Sequence, residues 1–143
     1  MTNDQLGTNG VTSLTNGNYV VRYYLWDNGA TTNVGAVTWC DGTTGRTGYI
    51  DVTNSLVGST AGDQVGYMGI TALTNGNYVV NSPFWDNGTT VNAGAATWCD
   101  GTTGRTGAVS TANSLTGSST SDAVGQGSLH CLMVIMCEQL LME

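Results

Sequence analysis

The sequence predicts an all-β chain of two tandem four-stranded antiparallel units followed by an off-pattern tail. Three observations predict it. The stretch Leu-Thr-Asn-Gly-Asn-Tyr-Val-Val occurs at Leu14 to Val21 and again at Leu73 to Val80, an offset of 73 − 14 = 59 residues. The same offset carries Trp26-Asp27-Asn28-Gly29 onto Trp85-Asp86-Asn87-Gly88, and Thr38 to Gly48 onto Thr97 to Gly107 without a gap. Fixed-period self-similarity of this kind marks a repeat architecture. Within each unit, Asn-Gly pairs sit between short β-favouring runs, the strongest short-range hairpin signal. No segment before residue 126 carries a helical period.

The repeat divides the chain at 1–62, 63–121 and 122–143. Asp63-Gln64-Val65-Gly66 opens the second unit, and it matches Asp4-Gln5-Leu6-Gly7 and, more loosely, Asp122-Ala123-Val124-Gly125. In the first unit Val11 to Leu14 is a brief first strand. Asn16-Gly17 follows as an expected type I′ turn, and Asn18 to Tyr24 is the second strand. Asp27-Asn28-Gly29 breaks the chain, Gly35 to Trp39 is the third strand, and Asp41-Gly42 with Gly45 turns it. Gly48 to Val52 is expected as the fourth strand, with Asn54 to Gly62 as polar connection. The second unit repeats this with Ile70 to Leu73, Asn77 to Val80, Gly94 to Trp98 and Gly107 to Thr111. Four strands in a unit of this length are the signature of a β-propeller blade. Trp26, Trp39, Trp85 and Trp98 would supply bulk between facing sheets. The alternative is a β-solenoid with two rungs per unit, but parallel rungs do not use an Asn-Gly hairpin. Two blades leave two open sheet edges, so self-association is expected.

The composition narrows the function classes. There is no lysine, three arginines face ten acids, and the formal charge is −7. Without a basic patch to neutralise phosphates, a nucleic-acid or anionic-membrane partner is not expected. Only 9% of residues are charged, against about 25% in a typical domain. Stability must therefore come from backbone pairing and turn chemistry. A low-charge, Gly/Thr/Asn-rich repeat suits an extracellular or bacterial cell-surface protein. Met1-Thr2-Asn3-Asp4 has neither the basic nor the apolar region of a signal peptide, and no run approaches the length of a membrane span. Cys40 and Cys99 are the same position in successive repeats, and no cysteine pair has metal-type spacing. Free, half-buried cysteines are expected.

The residues also resemble known families. Asp63-Gln64-Val65-Gly66-x-x-Gly69-Ile70, then Asn75 to Pro83, Asp86-Asn87-Gly88 and Gly94-Ala95, resemble an FG-GAP blade of the integrin-type β-propeller. The Asn-Gly-Asn-Tyr-Val-Val and Trp-Asp-Asn-Gly elements resemble more closely the repeats of bacterial surface proteins of the filamentous-haemagglutinin type. The first unit departs from the pattern, with Arg22-Tyr23-Tyr24 in place of Asn81-Ser82-Pro83. The FG-GAP resemblance implies an acidic Ca²⁺ loop in the hairpin. Here those positions are Thr15-Asn16-Gly17-Asn18 and Thr74-Asn75-Gly76-Asn77, which offer no carboxylate. No metal and no cofactor is expected.

The candidate ligand-binding residues are Trp26, Trp85, Asp27 and Asp86. The tryptophans could stack on sugar rings or fill the space between sheets. The aspartates could serve as cation or sugar ligands, or bond their own backbone in a turn. Asp41 with Arg46, and Asp100 with Arg105, could pair across the Gly-Thr-Thr-Gly loop. His130 stands in no recognisable nucleophile motif, and no catalytic constellation is present, so no enzyme is expected. The expected function is a structural or adhesive module of a bacterial surface or secreted repeat protein. Its partners would be other blades, a second copy, glycans or host surface proteins. The alternative is a carbohydrate-binding array.

The tail has its own reading. From Gln126 the repeat gives way to His130-Cys131-Leu132-Met133-Val134-Ile135-Met136-Cys137. A third copy of the unit, Ala-Leu-Ser-Asn-Gly-Asn-Tyr-Val, can be encoded so that reading one base late yields that same run. The tail is expected to be a frame-shifted remnant of the third repeat.

Overall fold

The computed structural model describes residues 9–127. Asp4 to Gly7, His130, Cys131, Cys137 and the frame-shift reading of the tail lie outside the described residues. Among the described residues there is no helix, and the strands form two open sheets, one per repeat. The first unit contributes β1 (Val11–Ser13), β2 (Tyr19–Tyr23), β3 (Ala36–Cys40) and β4 (Leu56–Val57). The second contributes β5 (Gly69–Ala72), β6 (Tyr78–Ser82), β7 (Ala95–Cys99), β8 (Gly107–Ala108) and β9 (Leu115–Thr116). The sheet orders are β1-β2-β3-β4-β8 and β5-β6-β7-β9. Within each repeat four strands run as an antiparallel meander. Their Tyr, Val and Thr residues suit a pleated, half-buried surface.

Three details differ from the sequence reading. The fourth strand is Leu56–Val57, placed in what was expected to be polar connection, and not Gly48 to Val52. Local side chains hold the latter stretch in a turn. Asp51 Oδ1 accepts from the Thr53 amide, Asn54 Oδ1 accepts from the Asp51 amide, and Asn54 Nδ2 donates to Tyr49 O. Equivalent bonds recur at Ser110, Asn113 and Ala108 O in the second repeat, where the segment pairs with the preceding sheet; Gly48 to Val52 has no preceding strand among the described residues. The expected strand Gly107 to Thr111 is shortened to β8, which pairs in parallel with β4 of the preceding repeat and not with its own sheet. The Asn-Gly turn is not type I′. Of its central residues only glycine has positive φ, 91° at Gly17 and 90° at Gly76. The Leu14 and Leu73 carbonyls accept from those glycine amides, closing a longer loop.

The two repeats differ in the burial of the upper face, and at Tyr-Val-Val the burial pattern is inverted. Residues opposite each other in a ladder share a face. Val20 lies opposite Trp39, and Val37 lies opposite both Arg22 and Leu56, which defines an upper face. Tyr19 opposite Cys40, Val21 opposite Thr38, and Tyr23 opposite Ala36 define a lower face. In the first sheet Val20 is buried while Tyr19 and Val21 are half-buried. In the second, the equivalents of those two, Tyr78 and Val80, are buried, and Val79 is half-buried. The upper face of the first sheet therefore rests on the lower face of the second. The resulting core joins Val20, Val37 and Leu56 to Tyr78, Val80, Ala95, Cys99 and Val109. A second cluster, Tyr23, Trp26, Val34, Ala36 and Val57, lies on the lower face of the first sheet, where Leu25 and Ile50 cover it.

Between the units the chain returns to the first sheet. The Val65 amide donates to Val34 O at 3.0 Å beside Gly35, which has φ of 79°. A Cβ on Gly35 would lie 2.3 Å from Val65 N, whereas Gly29, φ 61°, has open space around it. An L side chain at positive φ costs roughly 1–2 kcal/mol by itself. Gly29→Ala should therefore cost about that much, and Gly35→Ala at least twice as much, measured by urea denaturation. Equal costs would show that the close approach at Gly35 is not structurally required.

Candidate functional site: the interface between repeats

The functional surface that these residues build is the junction of the two units. Its backbone part is the β4–β8 pairing. A buried hydroxyl pair, Thr38 Oγ1 with Ser55 Oγ at 2.6 Å, fixes the approach to β4 beside β3. The second repeat then adds its own segment to that edge, with Leu56 beside Gly107 and Val57 beside Ala108. The Gly107 amide donates to both Val52 O and Ser55 O at 3.1 Å, and the Val109 amide donates to Val57 O at 3.0 Å. Leu56, 1% exposed, is thereby enclosed in the cluster that contains Val80, Cys99 and Val109.

The polar part lies at the hairpin end. Asn16 Nδ2, Asn18 Nδ2 and Trp39 Nε1 of the first repeat donate to a single acceptor, the Gly101 carbonyl of the second, at 2.8, 2.9 and 2.9 Å. Asn16 Oδ1 meanwhile accepts from the Asn18 amide, so one side chain orders the loop and reaches across the junction. Glycines make the approach possible. A Cβ at Gly104 would fall 2.4 Å from Trp39 Cβ, and one at Gly101 would fall 3.2 Å from Asn16 Nδ2 besides 1.6 Å from Gly76 O of its own repeat. At the other end Arg22 Nη1 donates to Gly66 O and Tyr67 O at 3.0 and 2.7 Å. There Tyr67 packs edge-on to Tyr24, with centroids 5.0 Å apart, and against Phe84 at 4.7 Å.

Asp63 ties the two units together. Its Oδ2 accepts from the Ser59 and Thr60 amides at 2.9 Å, and its Oδ1 accepts from the Asp86 amide at 3.0 Å. Burial pushes its carboxyl above the usual range, and the three amides act against that shift. Burial likewise pushes the Cys40 thiol up and the Cys99 thiol up to about 11. Both cysteines are free and buried, and thiols held protonated are poor nucleophiles.

The candidate ligand residues of the sequence reading are not brought together into one pocket. Trp26 and Trp85 are 8% and 4% exposed and belong to the two core clusters, which leaves little ring face open to solvent. Asp27 Oδ1 accepts from the Asn33 amide at 2.7 Å and Asp86 Oδ1 from the Asn92 amide at 2.8 Å. Each thus holds an asparagine with φ of 52°. The expected pairs across the Gly-Thr-Thr-Gly loop are replaced by bonds to backbone. Arg46 Nε and Arg105 Nε donate to Trp39 O and Trp98 O at 2.9 Å. Asp41 and Asp100 accept from the amides and hydroxyls of Thr43 and Thr102, which hold both carboxyls below the ordinary range. Sequence reasoning missed Asn16, Asn18, Arg22, Leu56 and Gly101. Except for Arg22, whose equivalent in the second repeat is Asn81, all recur at the 59-residue offset, so only the strict repetition of polar and glycine positions pointed to them.

With this geometry in place, comparison with known families gives one result. The DUF5650 family, a repeat of unknown function, matches the chain twice, over residues 13–67 and 72–126, and the chain belongs to that family. The two matches start 72 − 13 = 59 residues apart, the period read from the sequence. No curated protein and no solved structure matches the chain.

Because the first repeat has a neighbour on its upper face and the second has none among the described residues, identical substitutions serve as internal controls. Leu56→Ala should cost about 2–5 kcal/mol, as for a buried leucine. Leu115→Ala, at a position 73% exposed, should stay within about 0.5 kcal/mol. Trp39→Phe should cost about 0.5–1.5 kcal/mol for its lost hydrogen bond, and Trp98→Phe close to nothing. Chemical denaturation of dilute chain measures all four. Equal costs within either pair would show that the junction does not stabilise the fold.

Proposed function

We propose that this chain is a structural stacking module, a stretch of blades from an extracellular or bacterial cell-surface repeat protein. One observation supports this above the rest. The first repeat offers one sheet face and one strand edge that the second repeat covers, so much of the chemistry of the chain goes into joining like units. The buried Asp63 links Ser59 and Thr60 to Asp86, the hydroxyl pairs Thr38 with Ser55 and Thr97 with Ser114 set the approach to the fourth strand of each repeat, and the aspartates of the turns serve backbone amides. In such an array stability is a sum of unit and nearest-neighbour terms, and the loops between blades remain free to meet a partner. An adhesive role would use those loops, with glycans or host surface proteins as partners. No helix among the described residues is long and apolar enough to cross a membrane.

The carbohydrate-binding alternative would need exposed ring surface, and Trp98, 47% exposed, offers more of it than Trp26 or Trp85. A glycan array probed with the intact chain and with Trp98→Ala separates the two readings. Sugar binding lost in that variant would favour the alternative.

The stacking reading is tested by cutting the chain between residues 62 and 63. The separate fragments should each lack a cooperative unfolding transition, and mixing them should restore the β-sheet circular dichroism spectrum and the transition of the intact chain. Two fragments that each unfold cooperatively at the midpoint of the intact chain would overturn it.

A further inference from the structure

The internal junction is a template, and both of its halves recur at the ends of the two-unit stack. The upper side of the junction, on the first repeat, carries Leu14, Asn16, Asn18, Val20, Trp39 and Leu56. The second repeat carries the same residue types as Leu73, Asn75, Asn77, Val79, Trp98 and Leu115, of which Asn75, Trp98 and Leu115 are exposed and the other three half-buried. Exposure records the difference: Leu56 is 1% exposed, and its equivalent Leu115 is 73%. β9 is an edge strand with its outer side unpaired among the described residues, where β4 has β8. An apolar, unpaired edge is a template for strand addition.

The opposite half lies at the other end. The segment that docks on β4, Gly107 to Val109, corresponds to Gly48 to Ile50 in the first repeat. Tyr49 is 93% exposed there. Beside this segment an open cavity is lined by Val21, Thr38, Cys40, Tyr49 and Ile50. Their counterparts Val80, Cys99 and Val109 share a cluster with Leu56. The side chain that fits this cavity by the internal precedent is a leucine at the β4 position of a preceding unit. Leu115 is that leucine.

We propose that a second copy of this chain docks head to tail, its Gly48 to Ile50 segment adding in parallel to β9 and Leu115 entering the cavity under its Val21, Thr38 and Cys40. The internal register, Leu56 beside Gly107 and Val57 beside Ala108, translates to Leu115 beside Gly48 and Thr116 beside Tyr49. Asn75, Asn77 and Trp98 would donate to the carbonyl of Gly42 in the second copy, as their equivalents do to Gly101. The exchanges Val37 to Ala96 on one side and Val109 to Ile50 on the other offset each other in part, while the ladder pair Val57 with Ala108 becomes Thr116 with Tyr49. The Arg22 latch does not recur, since Asn81 stands at that position and bonds Thr71 within its own hairpin. The contact between copies is thus weaker than the junction within one. Because the two faces differ, the contact is heterologous and does not close on itself at two copies.

This inference rests on the stacking reading, but its test is separable from the fragment experiment. Sedimentation velocity of the intact chain should show a weight-average mass that rises with concentration beyond a dimer. Leu115→Asp blocks the upper end, and Val21→Glu blocks the lower end. Each variant should remain monomeric with an unchanged circular dichroism spectrum. Mixed, they should form a one-to-one dimer and stop, because each retains the end that the other has lost. Trp98→Glu replaces Leu115→Asp if the latter disturbs folding. A wild-type chain that stays monomeric at millimolar concentration, or a mixture that gives no heterodimer, overturns the proposal. Fragments that reassemble while the intact chain remains monomeric would leave the module intact and refute only the docking of copies.

Discussion

The constraint on which the structure depends is that a single repeat cannot cover both faces of its own sheet. A four-stranded meander of five-residue strands and shorter has apolar residues on both sides, and its loops shield only part of one. Burial of the other face must come from a neighbour. The first repeat buries Val20, Val37 and Leu56 against the second, and the second buries Tyr78, Val80 and Cys99 against the first. At Tyr-Val-Val, which the two strands share, the alternation of burial in β2 and β6 is inverted for that reason, while Tyr23 and Ser82 at the strand ends are buried in both. Burying one such side chain is worth about 1.5–3 kcal/mol, so a few positions decide whether the stack holds.

Polar chemistry refines what burial drives. The chain has few charges, and it uses its aspartates on amides in place of arginines. Asp41, Asp51 and Asp100 each accept from a threonine amide and hydroxyl two residues on. Those bonds hold the three carboxyls below the usual range. A depressed carboxyl stabilises the fold above its unfolded value and loses that contribution as the pH falls through the folded one. Asp63 has the opposite sign, since burial raises its carboxyl. Its contribution is present below the unfolded value and is lost as the pH rises through the folded one. The three donors that meet at Gly101 O exceed the two lone pairs of a carbonyl, so they share it; Asn16 and Asn18 reach it from the β1–β2 loop and Trp39 from β3.

The repeat, its period, the all-β class and the meander were legible because each rests on local signals: identity at a fixed offset, β-branched runs and turn residues. The fourth strand was not legible. Leu56–Val57 is two residues long and lies among Ser, Asn and Gly, a composition that reads as loop. Its pairing is decided by contact with β3 and β8, which are distant in sequence. The exchange of Gly107–Ala108 into the preceding sheet was illegible for the same reason. The Asn-Gly turn misled because the asparagine closes a local turn of its own. Asn16 Oδ1 accepts from the Asn18 amide and Asn75 Oδ1 from the Asn77 amide, and the same loop forms in both repeats although Asn16 alone also donates to Gly101 O. At the junction, strict recurrence drew attention to Trp39 and the Gly-Thr-Thr-Gly loop, but not to their roles. Burial fractions and the direction of each donor emerge only once the faces are assigned.

The claim that each repeat completes the sheet before it is tested most directly by hydrogen exchange at four amides. The Gly107 and Val109 amides donate across the junction to Val52, Ser55 and Val57 carbonyls, while Gly48 and Ile50 hold the equivalent positions in the first repeat. In dilute, monomeric chain under native conditions, Gly107 and Val109 should exchange only through unfolding of the stack, and Gly48 and Ile50 should exchange orders of magnitude faster. Equal protection of the two pairs would contradict the account, because it would mean that the segment is ordered within its own repeat and owes nothing to its neighbour.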